Sequence, residues 1–147
     1  MALRIVLADD NQKLRGQLRV LAESRAGWHV VAEAVNGRDA IEKAAQLRPD
    51  VRVIDYYMPE LDGISAIPEI RRAAPQAEIV VLTVDDARFT VARAVDAGAR
   101  GYVAKSEIVK DLMPAIEAAS EHKLYLSFLD TGADRRVPYR PRITPKA

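Results

Sequence analysis

The sequence predicts an α/β protein built on a doubly wound, five-stranded parallel sheet. Three observations carry that expectation. Short runs that are apolar on consecutive positions recur five times, as expected for strands covered on both faces. The segments between them are long enough for a helix and place apolar residues at helical spacing, which parallel strands need for their crossovers. The runs also stop abruptly in polar residues, the pattern of strands that end at a functional rim.

The first run, Arg4 to Ala8, ends in Asp9, Asp10 and Asn11, and Leu14, Leu18, Leu21 and Ala22 then recur with helical period as far as Gly27. The second unit is a strand over 29–34, a turn at Asn36-Gly37, and a helix through Ala40, Ile41, Ala44 and Leu47 that stops before Pro49. A third strand over 51–54 runs into Asp55, with a helix after Gly63. The fourth strand, 79–82, ends in Thr83; its helix covers about 87–97, with Gly98 as a left-handed cap. The fifth strand, 102–104, ends in Lys105, and a last helix covers about 109–122. Right-handed crossovers reduce the topologies for five such units to an open sheet of order 2-1-3-4-5, the flavodoxin-like arrangement. Two features work against the pattern. Arg52 falls inside a strand expected to be central, and Pro68 and Pro114 fall inside helices. Pro68 lies about a turn after its helix start, where a missing N–H costs least, whereas Pro114 is expected to kink or delay the last helix.

Composition narrows the function classes. With 147 residues, 49% of them hydrophobic, the chain is long enough for one domain with a substantial core. A net charge of +1 gives no overall basic bias toward nucleic acid. The absence of cysteine removes disulfides, zinc ribbons and thiol catalysis. No run approaches a membrane span and no signal peptide is evident, so a soluble, cytoplasmic protein without membrane association is expected. From Ser127 onward five basic residues face two acids, giving +3, and three of the eight prolines lie there. This reads as a domain over 1–126 and a basic, proline-containing tail over 127–147.

Strand ends carry the chemistry. Asp9 and Asp10 follow the first strand, Asp55 the third, Thr83 the fourth and Lys105 the fifth. A lone Asp after a strand is more often a helix cap, Thr83 alone could be one too, and a lone Lys is usually solvated. Joint placement at four strand ends favours a site. Clustered carboxylates repel unless a cation neutralises them, and oxygen ligands without His or Cys suit a hard ion, Mg²⁺ or Mn²⁺. Such an ion bridges carboxylate to phosphate oxygen, Lys105 and Thr83 can offset phosphoryl charge, and an Asp can itself be the nucleophile. Tyr102 alone reads as a half-buried strand aromatic, Met58 and Leu61 as loop or core residues, and Glu60, Asp62, Asp85 and Asp86 as solvated acids.

The pair Asp9-Asp10, the stretch VIDYYMPELDG from Val53 to Gly63, VLT from Val81 to Thr83, and GARGYVAKS from Gly98 to Ser106 closely resemble the receiver domain of bacterial two-component response regulators. The resemblance spans about Leu3 to Leu126, and its last segments are most similar to the NarL/FixJ subgroup, whose members usually carry a LuxR-type helix-turn-helix output domain. It implies Asp55 as phosphoacceptor, and Asp10, Asp55 and the Tyr57 main-chain carbonyl as direct Mg²⁺ ligands, with Asp9 acting through water. It also implies that Lys105 pairs with the phosphoryl group, that Thr83 hydrogen-bonds it, and that Tyr102 turns inward when Thr83 moves. Implied partners are a sensor histidine kinase or phosphotransfer protein and a downstream protein, with a homodimer as a further possibility.

The pattern departs from that subgroup after Leu126, where 21 residues are too few for a helix-turn-helix, so no DNA-binding domain is expected in this chain. Two other functions compete. An aspartate-nucleophile phosphohydrolase would want an acid where Tyr57 stands and length for a cap domain; a phosphorylation-independent scaffold would not need the acidic pair, Thr83 and Lys105. A Rossmann dehydrogenase and a P-loop enzyme lack their glycine signatures here.

Overall fold

The computed structural model describes residues 2–58, 63–84 and 88–127. Strands β1 (Leu3–Ala8), β2 (Trp28–Ala34), β3 (Val51–Asp55), β4 (Glu78–Thr83), β5 (Gly101–Ala104) and β6 (Tyr125–Leu126) form one sheet of order β2-β1-β3-β4-β5-β6. All pairings are parallel. Helices α1 (Gln12–Glu23), α2 (Gly37–Leu47), α3 (Gly63–Ala73), α4 (Arg88–Ala97) and α5 (Ile108–Ser120) connect them.

The expected order 2-1-3-4-5 is present, extended by a sixth strand that the sequence reading did not contain. β6 is two residues long, too short for any periodicity to reveal. It forms because α5 returns the chain to the β5 edge, where Gly101 pairs with Tyr125 and Tyr102 with Leu126. Ser127, placed in the tail by composition, is buried: its N–H donates to the Tyr102 carbonyl at 2.9 Å and its Oγ accepts from the Ala104 N–H at 3.0 Å.

The sheet buries both faces. Ile5, Leu7, Val53, Val80, Leu82 and Val103 pack with Leu18 of α1 and Leu112 and Ile116 of α5, while Ala8, Ile54, Ile79, Val81 and Tyr102 pack on the opposite side with α2, α3 and α4. Each fully buried Leu or Ile contributes roughly 1.5–3 kcal/mol. Helix starts follow the asparagines. Asn11 Oδ1 accepts from the Leu14 N–H at 3.1 Å, and Asn36 Oδ1 from the Asp39 N–H at 2.8 Å, caps worth about 1 kcal/mol each. Asn36-Gly37 is therefore a helix entry rather than a separate turn. Gly98 has φ 120°, and a Cβ there would lie 2.8 Å from Arg71 Cδ, so glycine is required at the end of α4.

Two expectations about awkward residues resolve differently. Pro114 does not delay the last helix: α5 begins at Ile108, after a 3₁₀ turn over Lys105–Glu107, and runs through the proline. Arg52 does lie in a central strand and is 0% exposed, between Val6 of β1 and Ile79 of β4. No helix among the described residues is long and apolar enough to cross a membrane.

Candidate functional site

The carboxyl ends of β1, β3, β4 and β5 bring the predicted residues to one rim. β1 and β3 are adjacent, with Ala8 opposite Ile54, so Asp9 and Asp55 each extend one step beyond a paired position. Carboxylate oxygens of Asp9, Asp10 and Asp55 all lie within 4.8 Å of one another. Asp9 and Asp55 are buried and Asp10 is exposed, so the cluster is open on the Asp10 side.

Each buried carboxylate is oriented. Asp9 Oδ1 accepts from the Asn11 N–H at 2.8 Å, and Asp55 Oδ1 accepts from the Tyr57 N–H at 3.4 Å. Their other oxygens face a shared cation: Lys105 Nζ lies 3.1 Å from Asp55 Oδ2 and 3.5 Å from Asp9 Oδ2. Lys105 reaches them because β5 ends at Ala104 and the following 3₁₀ turn starts on the lysine. Burial and then the Asp9 charge push the Asp55 carboxyl up to about 6, against the opposing pull of Lys105. Asp9 Oδ2 has no hydrogen-bond donor among the described residues. An orphaned buried carboxylate oxygen beside two further carboxylates is a donor set that fits a hard divalent cation.

Thr83 is fully buried at the end of β4, one residue beyond Leu82, which faces Asp55 in register. Tyr102 is 0% exposed rather than half-buried, and is paired with Val81, two residues before Thr83. Side-chain alternation therefore puts Thr83 and Tyr102 on the same face of the sheet. Tyr57, at 53% exposure, projects beside the rim with its ring 4.5 Å from that of buried Tyr56. Met58 belongs to the core, whereas Glu60, Leu61, Asp62, Asp85, Asp86 and the tail beyond Ser127 lie outside the described residues.

One supporting residue escaped the sequence reading. Arg15 Nη1 donates to the Asp9 carbonyl at 2.6 Å while its Nε pairs with Glu33 at 3.0 Å, clamping the acidic pair's backbone to β2. A charged residue between Leu14 and Leu18 of an amphipathic helix carries no local signal of such a role.

The profile of the response regulator receiver domain matches residues 5–117. The chain belongs to the response regulator receiver family. This receiver domain is 38% identical over 105 residues to the chemotaxis protein CheY of Thermotoga maritima, covering 71% of this chain and 87% of that protein. It is 43% identical over 107 residues to a protein-glutamate methylesterase/protein-glutamine glutaminase of Alkalilimnicola ehrlichii, covering 71% of this chain but only 27% of that protein. The crystal structure of a LuxR-family two-component response regulator from Aurantimonas sp. superposes with a TM-score of 0.79 at 36% identity, covering 83% of this chain and 87% of that one. Receiver domains are regulatory modules of two-component signalling, and the doubly wound fold and phosphorylation-controlled signalling role expected from the sequence stand.

Proposed function

We propose that this receiver domain accepts a phosphoryl group on Asp55 from a sensor histidine kinase or phosphotransfer protein and signals the change to a downstream protein. The carrying observation is the buried Asp55 carboxylate, 3.1 Å from Lys105 and clustered with Asp9 and Asp10. A carboxylate oxygen of Asp55 attacks phosphorus while the bond to the donor's imidazole nitrogen breaks, and that nitrogen keeps the electron pair; the product is an acyl phosphate. Lys105 pairs with the transferred oxygens and the Thr83 hydroxyl donates to one of them.

Asp10, Asp55 and the Tyr57 main-chain carbonyl would hold the divalent ion directly, and Asp9 would act through water. Mg²⁺ or Mn²⁺ bound there offsets the negative charge that opposes an anionic donor. Thr83 drawn toward the phosphoryl group frees space on the face it shares with Tyr102, so the two positions form a two-state element that phosphate biases. A cytoplasmic location, the capacity to form a homodimer, and a division into a receiver that closes on Ser127 and a basic extension after it belong to the same reading.

The test is incubation with acetyl phosphate and Mg²⁺ followed by intact-mass measurement. One phosphoryl group is expected on wild type, none with EDTA and none on Asp55→Ala; equal labelling of the Ala variant overturns the assignment.

A further inference from the structure

Arg52 is the largest fully buried side chain of the domain, and nothing in the phosphorylation chemistry uses it. Its Nη1 donates to the Ala40 carbonyl at 2.6 Å, whereas Nε and Nη2 have no hydrogen-bond partner among the described residues. No carboxylate pairs with it among the described residues. A buried guanidinium left this incompletely satisfied is costly, and an aliphatic residue would fill a central strand at less expense. Burial lowers its pKa only to about 10, so it stays charged at neutral pH.

The acidic rim lies at the end of the same strand. Arg52 precedes Asp55 by three residues, about 10 Å of strand. Its head is held at Ala40, the fourth residue of α2 and so within the first turn, at the end of the sheet where the carboxylates gather. Buried Asp9 and Asp55 and exposed Asp10 outweigh the single ammonium of Lys105. The core thus holds a cation short of acceptors beneath a rim with excess negative charge, separated by protein rather than water and therefore weakly screened.

We propose that Arg52 is a fixed internal cation whose field biases the acidic pocket toward a phosphoryl group and against the divalent ion. The inference rests on the reading of the rim as a metal and phosphoryl site. A unit charge at about 10 Å in a medium of effective dielectric about 20 changes a monovalent ion's affinity by about 10- to 20-fold and a dication's by more, with opposite sign for cations and anions. Mere structural support would not do this, since a loosened pocket weakens both.

The experiment measures Mg²⁺ affinity by titration calorimetry at pH 8, then beryllofluoride affinity at saturating Mg²⁺, for wild type, Arg52→Met, Arg52→Gln and Arg52→Lys. The neutral variants are expected to bind Mg²⁺ more than about tenfold more tightly and beryllofluoride about tenfold more weakly. Arg52→Lys, whose burial lowers the ammonium's pKa toward the working pH, should fall between wild type and the neutral variants. Unchanged affinities in the neutral variants, or both weakened together, overturn the proposal. If Arg52→Met does not fold, Arg52→Gln, which retains a donor for the Ala40 carbonyl, decides alone. A wild type that binds neither probe removes the reading of the rim itself, an outcome distinct from wild-type binding that the variants leave unmoved.

Discussion

Lys105 Nζ sits 3.1 Å from Asp55 Oδ2 and 3.5 Å from Asp9 Oδ2, so one ammonium serves two buried carboxylates. The sharing is unequal and incomplete, since Asp55 still titrates well above an ordinary aspartate. The three rim carboxylates thus outnumber the one ammonium beside them, and the chemistry and stability of the rim depend on that excess.

The pH dependence of folding follows from that deficit. Asp55 has a higher pKa folded, about 6, than the roughly 3.9 of an unfolded chain, so its protonated form favours folding. Its contribution is present below about pH 4 and is lost as pH rises through 6, a loss of about 3 kcal/mol at full extent. Asp55→Asn cannot ionise and should therefore melt higher than wild type at pH 7.5 in EDTA, with the gap closing toward pH 4. Melting curves across that range check this; a gap that does not vary with pH contradicts it.

Removing Lys105 and removing Thr83 should have separable effects. Lys105→Ala deprives both carboxylates of their cation and is expected to lose most acetyl-phosphate labelling, by about 10²-fold, the usual loss for one charge-stabilising donor. Thr83→Ala should still be labelled, but the NMR signals of Tyr102 should no longer shift on phosphorylation. Retention of the Tyr102 shift in Thr83→Ala would sink the coupling.

Tyr57 stands two residues after Asp55 with half its surface exposed and its ring against Tyr56. Positioned there, it is expected to obstruct water approaching an acyl phosphate on Asp55 in line. Tyr57→Ala should shorten the phosphorylated lifetime several-fold, measured as decay of the phosphorylated mass after removal of acetyl phosphate. A longer lifetime would mean that Tyr57 assists hydrolysis.

Truncation on either side of Ser127 tests where the domain ends. Ser127 closes the β5 edge through the Ala104 N–H and the Tyr102 carbonyl, next to Lys105 in the chain. A chain ending at Ser127 should melt within about 2 °C of the full chain and label normally, since it keeps every hydrogen bond of the described domain. A chain ending at Leu126 should be less stable by about 1–3 kcal/mol, because the buried Ala104 N–H loses its acceptor.

Legibility in the sequence depended on how local the signal was. Asp9, Asp55, Thr83 and Lys105 could be placed because each follows an apolar run directly, and an apolar run locates a strand's end to within a residue or two. Arg15, Ser127 and the sixth strand could not. Arg15 acts on a carbonyl six residues away through the angle between α1 and β1, and Ser127 acts on a strand 23 residues earlier. Neither relation leaves a periodic trace.

The sequence by itself determined the order of five strand and helix units, the residue types at each strand's end, and hence the class of chemistry, because side-chain alternation and helical period are properties of neighbouring residues. Only the tertiary structure decided that the three carboxylates meet within 4.8 Å, that Lys105 divides itself between two of them, and that Arg52 is sealed in the core with two donors unmet. Those outcomes depend on separations in space and on exclusion of water, which set the strength of every charge interaction and exist only once the sheet and its helices have closed.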